Sequence, residues 1–119
     1  MVTRGYIPDT GHLIKIDFDP QAGHDQSGWR PALVLTPRSY NGPAGLAVAA
    51  PVTNQKKGYP FEIELPPGSA ITGVILSDAI KSLDWRARNA RYAGIVPSHV
   101  LKAVREMLTL LLELGLERD

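Results

Sequence analysis

The apolar residues of this chain fall into short runs separated by glycine and proline, and this spacing limits what the chain can fold into. Short runs with partial apolar and polar alternation are typical of β-strands. We predict five strands, over residues 11–18, 31–35, 46–52, 61–65 and 72–77, and a sixth after a short turn within 84–92. A turn is predicted at Tyr40-Asn41-Gly42-Pro43. Strands this short, recurring about every ten residues, favour a small barrel or a curled sheet.

The pattern becomes helical after Pro97-Ser98, where we predict an N-cap. Apolar residues then recur at helical spacing up to about Gly115: Val100, Leu101, Val104, Met107, Leu108, Leu111 and Leu112. The predicted fold is therefore mainly β with a C-terminal α-helix. We expect one domain over 1–119, with the barrel at about 6–96 and the helix at about 98–114. The apolar face of this helix serves core packing, a partner, or both.

Cysteine is absent, which excludes disulfides, thiol nucleophiles and zinc–thiolate sites and fits a cytoplasmic location. No stretch approaches the roughly 20 apolar residues of a membrane span, so we expect no membrane partner. The net charge is only +1. Local basic groups nevertheless occur at Lys56-Lys57 and at Lys81, Arg86, Arg88 and Arg91. These groups either hold a phosphate backbone or form solvated faces.

Polar side chains are concentrated before the second predicted strand. The run Gly23-His24-Asp25-Gln26-Ser27-Gly28-Trp29-Arg30-Pro31 combines a carboxylate, an imidazole, an indole and a guanidinium. Pro31 restricts the backbone of Arg30 to an extended conformation. The third predicted strand leads into a second polar group, Thr53-Asn54-Gln55. We therefore predict that two strands bring polar side chains to one place.

The available chemistry favours a reaction at phosphorus. The three histidines, His12, His24 and His99, lack paired-ligand spacing, and no phosphate-cradling glycine loop or Gly-x-Ser-x-Gly elbow is present. We therefore predict no metal site and no cofactor. An arginine such as Arg30 offers a planar fork of donors that matches two phosphate oxygens, and the Thr53 hydroxyl can add one hydrogen bond. RNA carries its own nucleophile, the 2′-hydroxyl, whereas DNA does not.

Six segments, in order and with few gaps over residues 6–96, carry a family resemblance: Tyr6-Ile7-Pro8-Asp9-x-Gly11, Ile16-Asp17-Phe18-Asp19-Pro20, Gly23-His24-Asp25-Gln26-x-Gly28-x-Arg30-Pro31, Pro51-Val52-Thr53-x-Gln55, Gly58-Tyr59-Pro60-Phe61 and Asp84-Trp85-Arg86-Ala87-Arg88. Together they resemble the MazF/PemK toxins. The resemblance implies a dimeric SH3-like barrel that acts as a ribosome-independent endoribonuclease on short single-stranded RNA motifs of mRNA. It also implies 2′-hydroxyl attack without a metal, giving 2′,3′-cyclic phosphate and 5′-hydroxyl ends. The implied partner is an antitoxin with an acidic, flexible tail.

Arg30 and Thr53 fall on the catalytic pair of that family, and Asp25 is a third catalytic candidate. The candidate RNA-binding residues are His24, Trp29, Gln55, Lys56, Lys57, Asp78, Lys81, Arg86 and Arg88. The sequence departs from the family at two places: Asp25 replaces the usual Glu, and Ala79 replaces the Gln that often follows Asp78. These departures bear on the role of the carboxylate and on the cut-site preference.

Each candidate residue also has a plainer interpretation. Arg30 could be a surface residue paired with Asp25, and Thr53 could bond only to its own backbone. His24 is either a general base or an exposed loop residue. Trp29 and Tyr59 either stack on unpaired bases or anchor in the core.

Two other functions compete with the nuclease. One is a gyrase-poisoning toxin of the CcdB type on the same barrel, which acts through a C-terminal Trp-Gly-Ile that Leu116-Glu117-Arg118-Asp119 lacks. The other is an SH3-like module that binds protein ligands. The nuclease remains the favoured prediction because Arg30 and Thr53 are both present.

Overall fold

The computed structural model describes residues 5–17 and 28–115. Seven strands and two helices follow one another in this order: β1 (His12–Asp17), β2 (Trp29–Val34), α1 (Arg38–Ala44), β3 (Ala47–Thr53), β4 (Glu62–Glu64), β5 (Val74–Leu76), β6 (Lys81–Leu83), β7 (Arg91–Ile95) and α2 (Ser98–Leu111). A 3-10 turn over Ser77–Ala79 joins β5 to β6. His24 and Asp25, like the predicted end of the first strand at Phe18, lie outside the described residues.

All strand pairs are antiparallel, and the strand order is β4-β5-β3-β2-β1-β7, with β6 also paired to β3. Strand β3 is the centre of this arrangement. Its first half pairs with β6 through Ala47–Leu83, and its end pairs with β5 through Thr53–Val74. Two short strands thus pair with successive parts of β3.

The alternation of side chains along the strands builds two apolar clusters on opposite faces of the sheet. One face carries Ile14, Ile16, Ala32, Val34, Ala47, Ala49, Leu83 and Trp85. On the other face, Val100 and Val104 of α2 complete a cluster with Leu13, Leu33, Ala50, Val52, Leu65, Ile71, Ile75 and Val96. The first of these faces leads to the candidate site, because Arg30 and Thr53 follow its residues along β2 and β3.

The turn predicted at 40–43 is wrong, because these residues lie in α1. The reason is tertiary: Asn41 is completely buried, and its side-chain amide donates to the carbonyls of Pro8 and Thr36, at 2.8 Å each. Its Oδ1 accepts from the Thr36 hydroxyl at 2.7 Å. The indole of Trp85 donates to the Asn41 carbonyl at 3.0 Å. These bonds stabilise one short helix in a segment whose local composition favours a turn.

The sheet has one strand more than expected, because β6 precedes the 84–92 segment and β7 ends beyond it. The helix α2 begins at Ser98 and ends at Leu111, three residues before the expected end at about 114. Pro97 occupies the capping position, without a side-chain capping bond, instead of Ser98. Its extended backbone, with φ −61° and ψ 152°, sets the entry into the helix. Among the described helices, none is long and apolar enough to cross a membrane.

Candidate active site

The register of β2 and β3 brings Arg30 and Thr53 to the same end of the sheet. Ala32 lies opposite Pro51, and the strands are antiparallel. Arg30 lies two residues from this pair towards the start of β2. Thr53 lies two residues from it towards the end of β3, which is the same end of the sheet. Arg30 is exposed and Thr53 is half-buried. The prediction that two strands bring polar side chains to one place is consistent with this geometry.

Arg30 and Thr53 line one cavity of about 230 Å³, together with Lys81 at the start of β6. Its remaining walls are mostly apolar and small: Ile16, Pro31, Ala32, Ala49, Pro51, Val52, Ala79 and Leu83. The small side chains of Ala32 and Ala49 belong to the core face of the sheet and leave space above them. A cavity with two cationic residues and an apolar floor suits an anion, since charges interact more strongly where water is partly excluded.

The Thr53 hydroxyl accepts a hydrogen bond from the backbone N–H of Gln55 at 3.1 Å. The structure therefore contains the local backbone bond that the plainer interpretation of Thr53 describes. It does not conflict with a role in the cavity. This bond holds the oxygen of the Thr53 side chain, and the hydroxyl hydrogen can still be donated to a ligand.

Gly73 sets the position of the Thr53 backbone from the opposite side. A Cβ atom on Gly73 would lie 2.4 Å from the Thr53 carbonyl oxygen, and Gly73 has a φ of +124°. Only glycine allows this close approach of the segment before β5 to the end of β3.

A second cavity of about 340 Å³ adjoins the first and shares Thr53 and Ala79 with it. Its other lining residues are Gln55, Lys57, Tyr59, Phe61, Glu62, Leu76 and Asp78. The ring of Tyr59 is stacked on Phe61, with centroids 5.2 Å apart, and Tyr59 remains 52% exposed. An exposed aromatic face beside polar groups can stack on a base. Thr53 and Ala79 thus line both cavities, which are together called the groove below.

Of the predicted RNA-binding residues within the described part of the chain, four are not among those lining these two cavities. Lys56 turns to the other side of the β3–β4 loop and pairs with Glu64 at 2.9 Å. Arg86 lies over the Trp85 ring, at 4.4 Å from its centroid. Arg88 donates to the Asp17 carbonyl at 3.3 Å.

The fourth residue is Trp29. It is half-buried, and the guanidinium of Arg91 lies 4.8 Å from its ring centroid. Less of the Trp29 ring is therefore exposed for stacking on a base than of the Tyr59 ring. Trp85, part of the family resemblance, is a core residue with 5% exposure.

A cluster that sequence reasoning did not single out joins β1 to the residues before it. The Nδ1 atom of His12 lies 3.0 Å from the Tyr6 hydroxyl and accepts from the Asp9 backbone N–H at 3.2 Å. Burial lowers the pKa of His12 and raises the pKa of Tyr6 to about 12. Backbone N–H donors of Arg38 and Thr10 lower the pKa of the Asp9 carboxyl. This cluster stabilises the fold and is not part of the groove.

Sequence reasoning also left Glu62 and Phe61 without a role, although both line the second cavity. The available signal was the alternation over 61–65, which predicts that alternate side chains face outward. Among the described residues, no group of three or more His, Cys, Asp or Glu side chains could hold a metal ion.

An antiparallel sheet with a C-terminal helix and a cationic groove at one end is thus the framework of this chain. A family profile described as PemK-like, MazF-like toxin of type II toxin-antitoxin system matches residues 9–112. The chain belongs to this toxin family. Its predicted fold class, a small β-barrel with a C-terminal helix, is confirmed by the likeness to solved MazF structures.

Within the family, the chain is similar to Endoribonuclease toxin MazF of Escherichia coli K12, with 46% identity over 112 residues, covering 94% of this chain and 99% of that protein. It is also 32% identical to Endoribonuclease PemK of Escherichia coli over 116 residues, covering 94% of this chain and 87% of PemK. The crystal structure of MazE-MazF (Form-II) from Deinococcus radiodurans matches with a TM-score of 0.83 and 46% identity, covering 92% of this chain and 99% of that chain.

Proposed function

We propose that this protein is a sequence-specific, ribosome-independent endoribonuclease that cleaves single-stranded mRNA without a metal or other cofactor. The observation that carries the proposal is the meeting of Arg30 and Thr53 in one cavity beside Lys81. The names of the relatives support it, because MazF and PemK of Escherichia coli are both called endoribonucleases. The whole chain would form one toxin domain.

In the proposed reaction, the ribose 2′-oxygen attacks the adjacent phosphorus while the bond from phosphorus to the 5′-oxygen breaks. The proton of the 2′-hydroxyl passes to a base, and the leaving 5′-oxygen receives a proton. The products are a 2′,3′-cyclic phosphate and a 5′-hydroxyl. We assign the proton-transferring carboxylate to Asp25, which lies outside the described residues.

Arg30 is proposed to stabilise the negative charge that develops on the phosphoryl oxygens and to donate a proton to the leaving 5′-oxygen. Its planar guanidinium can donate to two of those oxygens at once. Thr53 donates its hydroxyl hydrogen to the same group, held in place by the Gln55 N–H. Donors fixed in advance towards developing charge are often the largest contribution to catalysis.

The second cavity is proposed to bind the nucleotide next to the cleaved bond. The Asp78 carboxylate can accept from a base edge, the Gln55 amide can both donate and accept, and Lys57 contributes positive charge. Lys56, Lys81, Arg86, Arg88, His24 and Trp29 are proposed to hold the RNA backbone and bases along and beyond the groove. Contacts to phosphates fix position, whereas contacts to base edges select sequence.

The proposed assembly is a homodimer that is inhibited by an antitoxin with an acidic, flexible tail. The MazE-MazF structures from Deinococcus radiodurans, by name complexes of two proteins, support a protein partner. An acidic tail would compete with RNA for the cationic residues Arg30, Lys57 and Lys81. Because the substrate is mRNA, we expect the protein to act in the cytoplasm.

The test is cleavage of a mixed-sequence RNA in excess EDTA, followed by sequencing of the new 5′ ends. A parallel substrate carries 2′-deoxy nucleotides. Cuts at one short motif that disappear when the nucleotide before the cut is 2′-deoxy support the proposal. Absence of cleavage would favour a non-catalytic toxin of the gyrase-poisoning type or a protein-binding module.

A further inference from the structure

The carboxylate of Glu62 holds the β3–β4 loop by its backbone. Its Oε1 accepts from the Gly58 N–H at 2.9 Å and from the Lys57 N–H at 3.2 Å, and its Oε2 lies 3.1 Å from the Lys57 nitrogen. The Glu62 N–H donates in turn to the Tyr59 carbonyl at 3.1 Å. The loop that carries Gln55, Lys57 and Tyr59 is thus anchored at its tip.

Glu62 also connects this loop to the opposite wall of the second cavity. It lies opposite Leu76 in the β4–β5 ladder, directly before the turn that carries Asp78. The neighbouring Phe61 carbonyl accepts from the Ser77 N–H of the same turn at 3.2 Å. Glu62 and the neighbouring Phe61 therefore link the loop to the turn, and both the loop and the turn contribute lining residues to the second cavity.

A carboxylate in this place is unfavourable for binding RNA unless it has another role, because it repels phosphates. Its oxygens face backbone N–H donors, and hydrogen bonds to an ionised acceptor are stronger than those between neutral groups. A loop held in its binding conformation loses less entropy when the ligand arrives.

We infer that Glu62 is a positioning residue for RNA selection: it holds Gln55, Lys57 and Tyr59 opposite Asp78, so that the second cavity is formed before RNA binds. This inference rests on the proposed function, because the ligand of the cavity is the RNA. It assigns Glu62 no contact with the reacting atoms.

The test compares Glu62→Ala with Glu64→Ala, a matched control on the same strand that also removes one negative charge. Glu64 pairs with Lys56 outside the cavity. If only charge mattered, both variants should bind RNA as tightly as the wild type or more tightly, because each has lost one negative charge. Positioning predicts that Glu62→Ala raises KM about tenfold with kcat changed less than about threefold, while Glu64→Ala leaves KM unchanged or lower.

Cleavage preference and a conservative variant provide two further readouts. In a mixed-sequence RNA, Glu62→Ala should cut a broader set of sites than the wild type. Glu62→Gln keeps one acceptor oxygen, so its KM should lie between those of the wild type and Glu62→Ala. If the alanine variant does not fold, Glu62→Gln decides the question, and a wild-type KM and site preference in that variant overturn the inference.

The affinity for a 2′-deoxy RNA that cannot be cleaved separates this inference from the proposed reaction. Weaker binding by Glu62→Ala but not by Glu64→Ala supports positioning whether or not the wild type cleaves. Equal binding by the two variants overturns it, even if the wild type is an active nuclease.

Discussion

Arg30 and Thr53 stand on neighbouring antiparallel strands, each two residues beyond the Ala32–Pro51 pair, and line the same cavity. Their 23-residue separation in sequence is bridged by the sheet register alone. A rigid sheet holds groups in fixed geometry better than a loop does, and this favours stabilisation of a single transition state.

Replacing Arg30 should slow cleavage strongly while leaving RNA bound. We expect Arg30→Ala to lower the single-turnover rate by about 10³-fold, because a preset donor to developing charge is lost. Arg30→Lys keeps the charge but not the fork of donors, and it should recover only part of the rate. A rate close to the wild type in the alanine variant would remove Arg30 from the mechanism.

Thr53→Val tests the hydroxyl with little change of shape. The rate should fall by about 10²-fold, since one hydrogen bond to the phosphoryl group is lost. The unfolding free energy should fall by only about 1 kcal/mol, through loss of the bond to the Gln55 N–H. Stopped-flow cleavage and urea unfolding measure the two effects separately. Unchanged turnover in a folded variant would argue against a role for the hydroxyl.

Ala79 lines both cavities, so a longer side chain there should change which RNA is cut. Ala79→Gln places an amide at the junction of the groove, where it narrows the space and can bond to a base. We expect a shift in the sequenced cleavage motif. Ala87→Gln, at an exposed position in the turn before β7, is the control. Identical motifs for Ala79→Gln and the wild type would show that this junction does not select sequence.

Gly73→Ala should destabilise the end of β3 through a clash with the Thr53 backbone. The added Cβ would lie 2.4 Å from the Thr53 carbonyl oxygen, at a φ of +124°. We expect a loss of about 3 kcal/mol in urea unfolding. Gly68 also has a positive φ, +85°, but nothing lies within 4 Å of its added Cβ, so Gly68→Ala should cost only about 1 kcal/mol. Equal losses would mean that the close approach to Thr53 is unimportant.

Stability should fall as the pH decreases below about 6.5, because of His12. Burial lowers the pKa of His12 in the folded protein below the usual value for histidine. The unfolded chain therefore binds the proton first, and protonation favours unfolding. Denaturant titrations between about pH 5 and 7 should show a smaller slope against pH for His12→Asn than for the wild type. Identical slopes would contradict this role, and His99→Asn, at an exposed position of α2, is the control for loss of an imidazole.

The sequence predicts the mainly β class and the C-terminal helix because the apolar periodicity differs clearly between the two parts. It does not predict α1, whose stability depends on the buried hydrogen bonds of Asn41 to residues outside the helix. It misses β6 because Lys81–Leu83 contains one apolar residue and pairs only through the register of β3. Arg30 and Thr53 were predicted from the resemblance, but only the strand pairing explains why they meet. The sequence does not predict the role of Glu62, because the alternation over 61–65 indicates only which side chains face outward, and the partners of Glu62 are backbone N–H groups.

The central claim is that Arg30 and Thr53 cleave RNA through its own 2′-hydroxyl. Mass spectrometry of both fragments of one RNA oligonucleotide, cut in excess EDTA, tests this claim most directly. We predict a 2′,3′-cyclic phosphate on the upstream fragment and a 5′-hydroxyl on the downstream fragment, with both products formed about 10³-fold more slowly by Arg30→Ala. A 5′-phosphate on the downstream fragment, or the same products at the same rate from Arg30→Ala, would contradict the account.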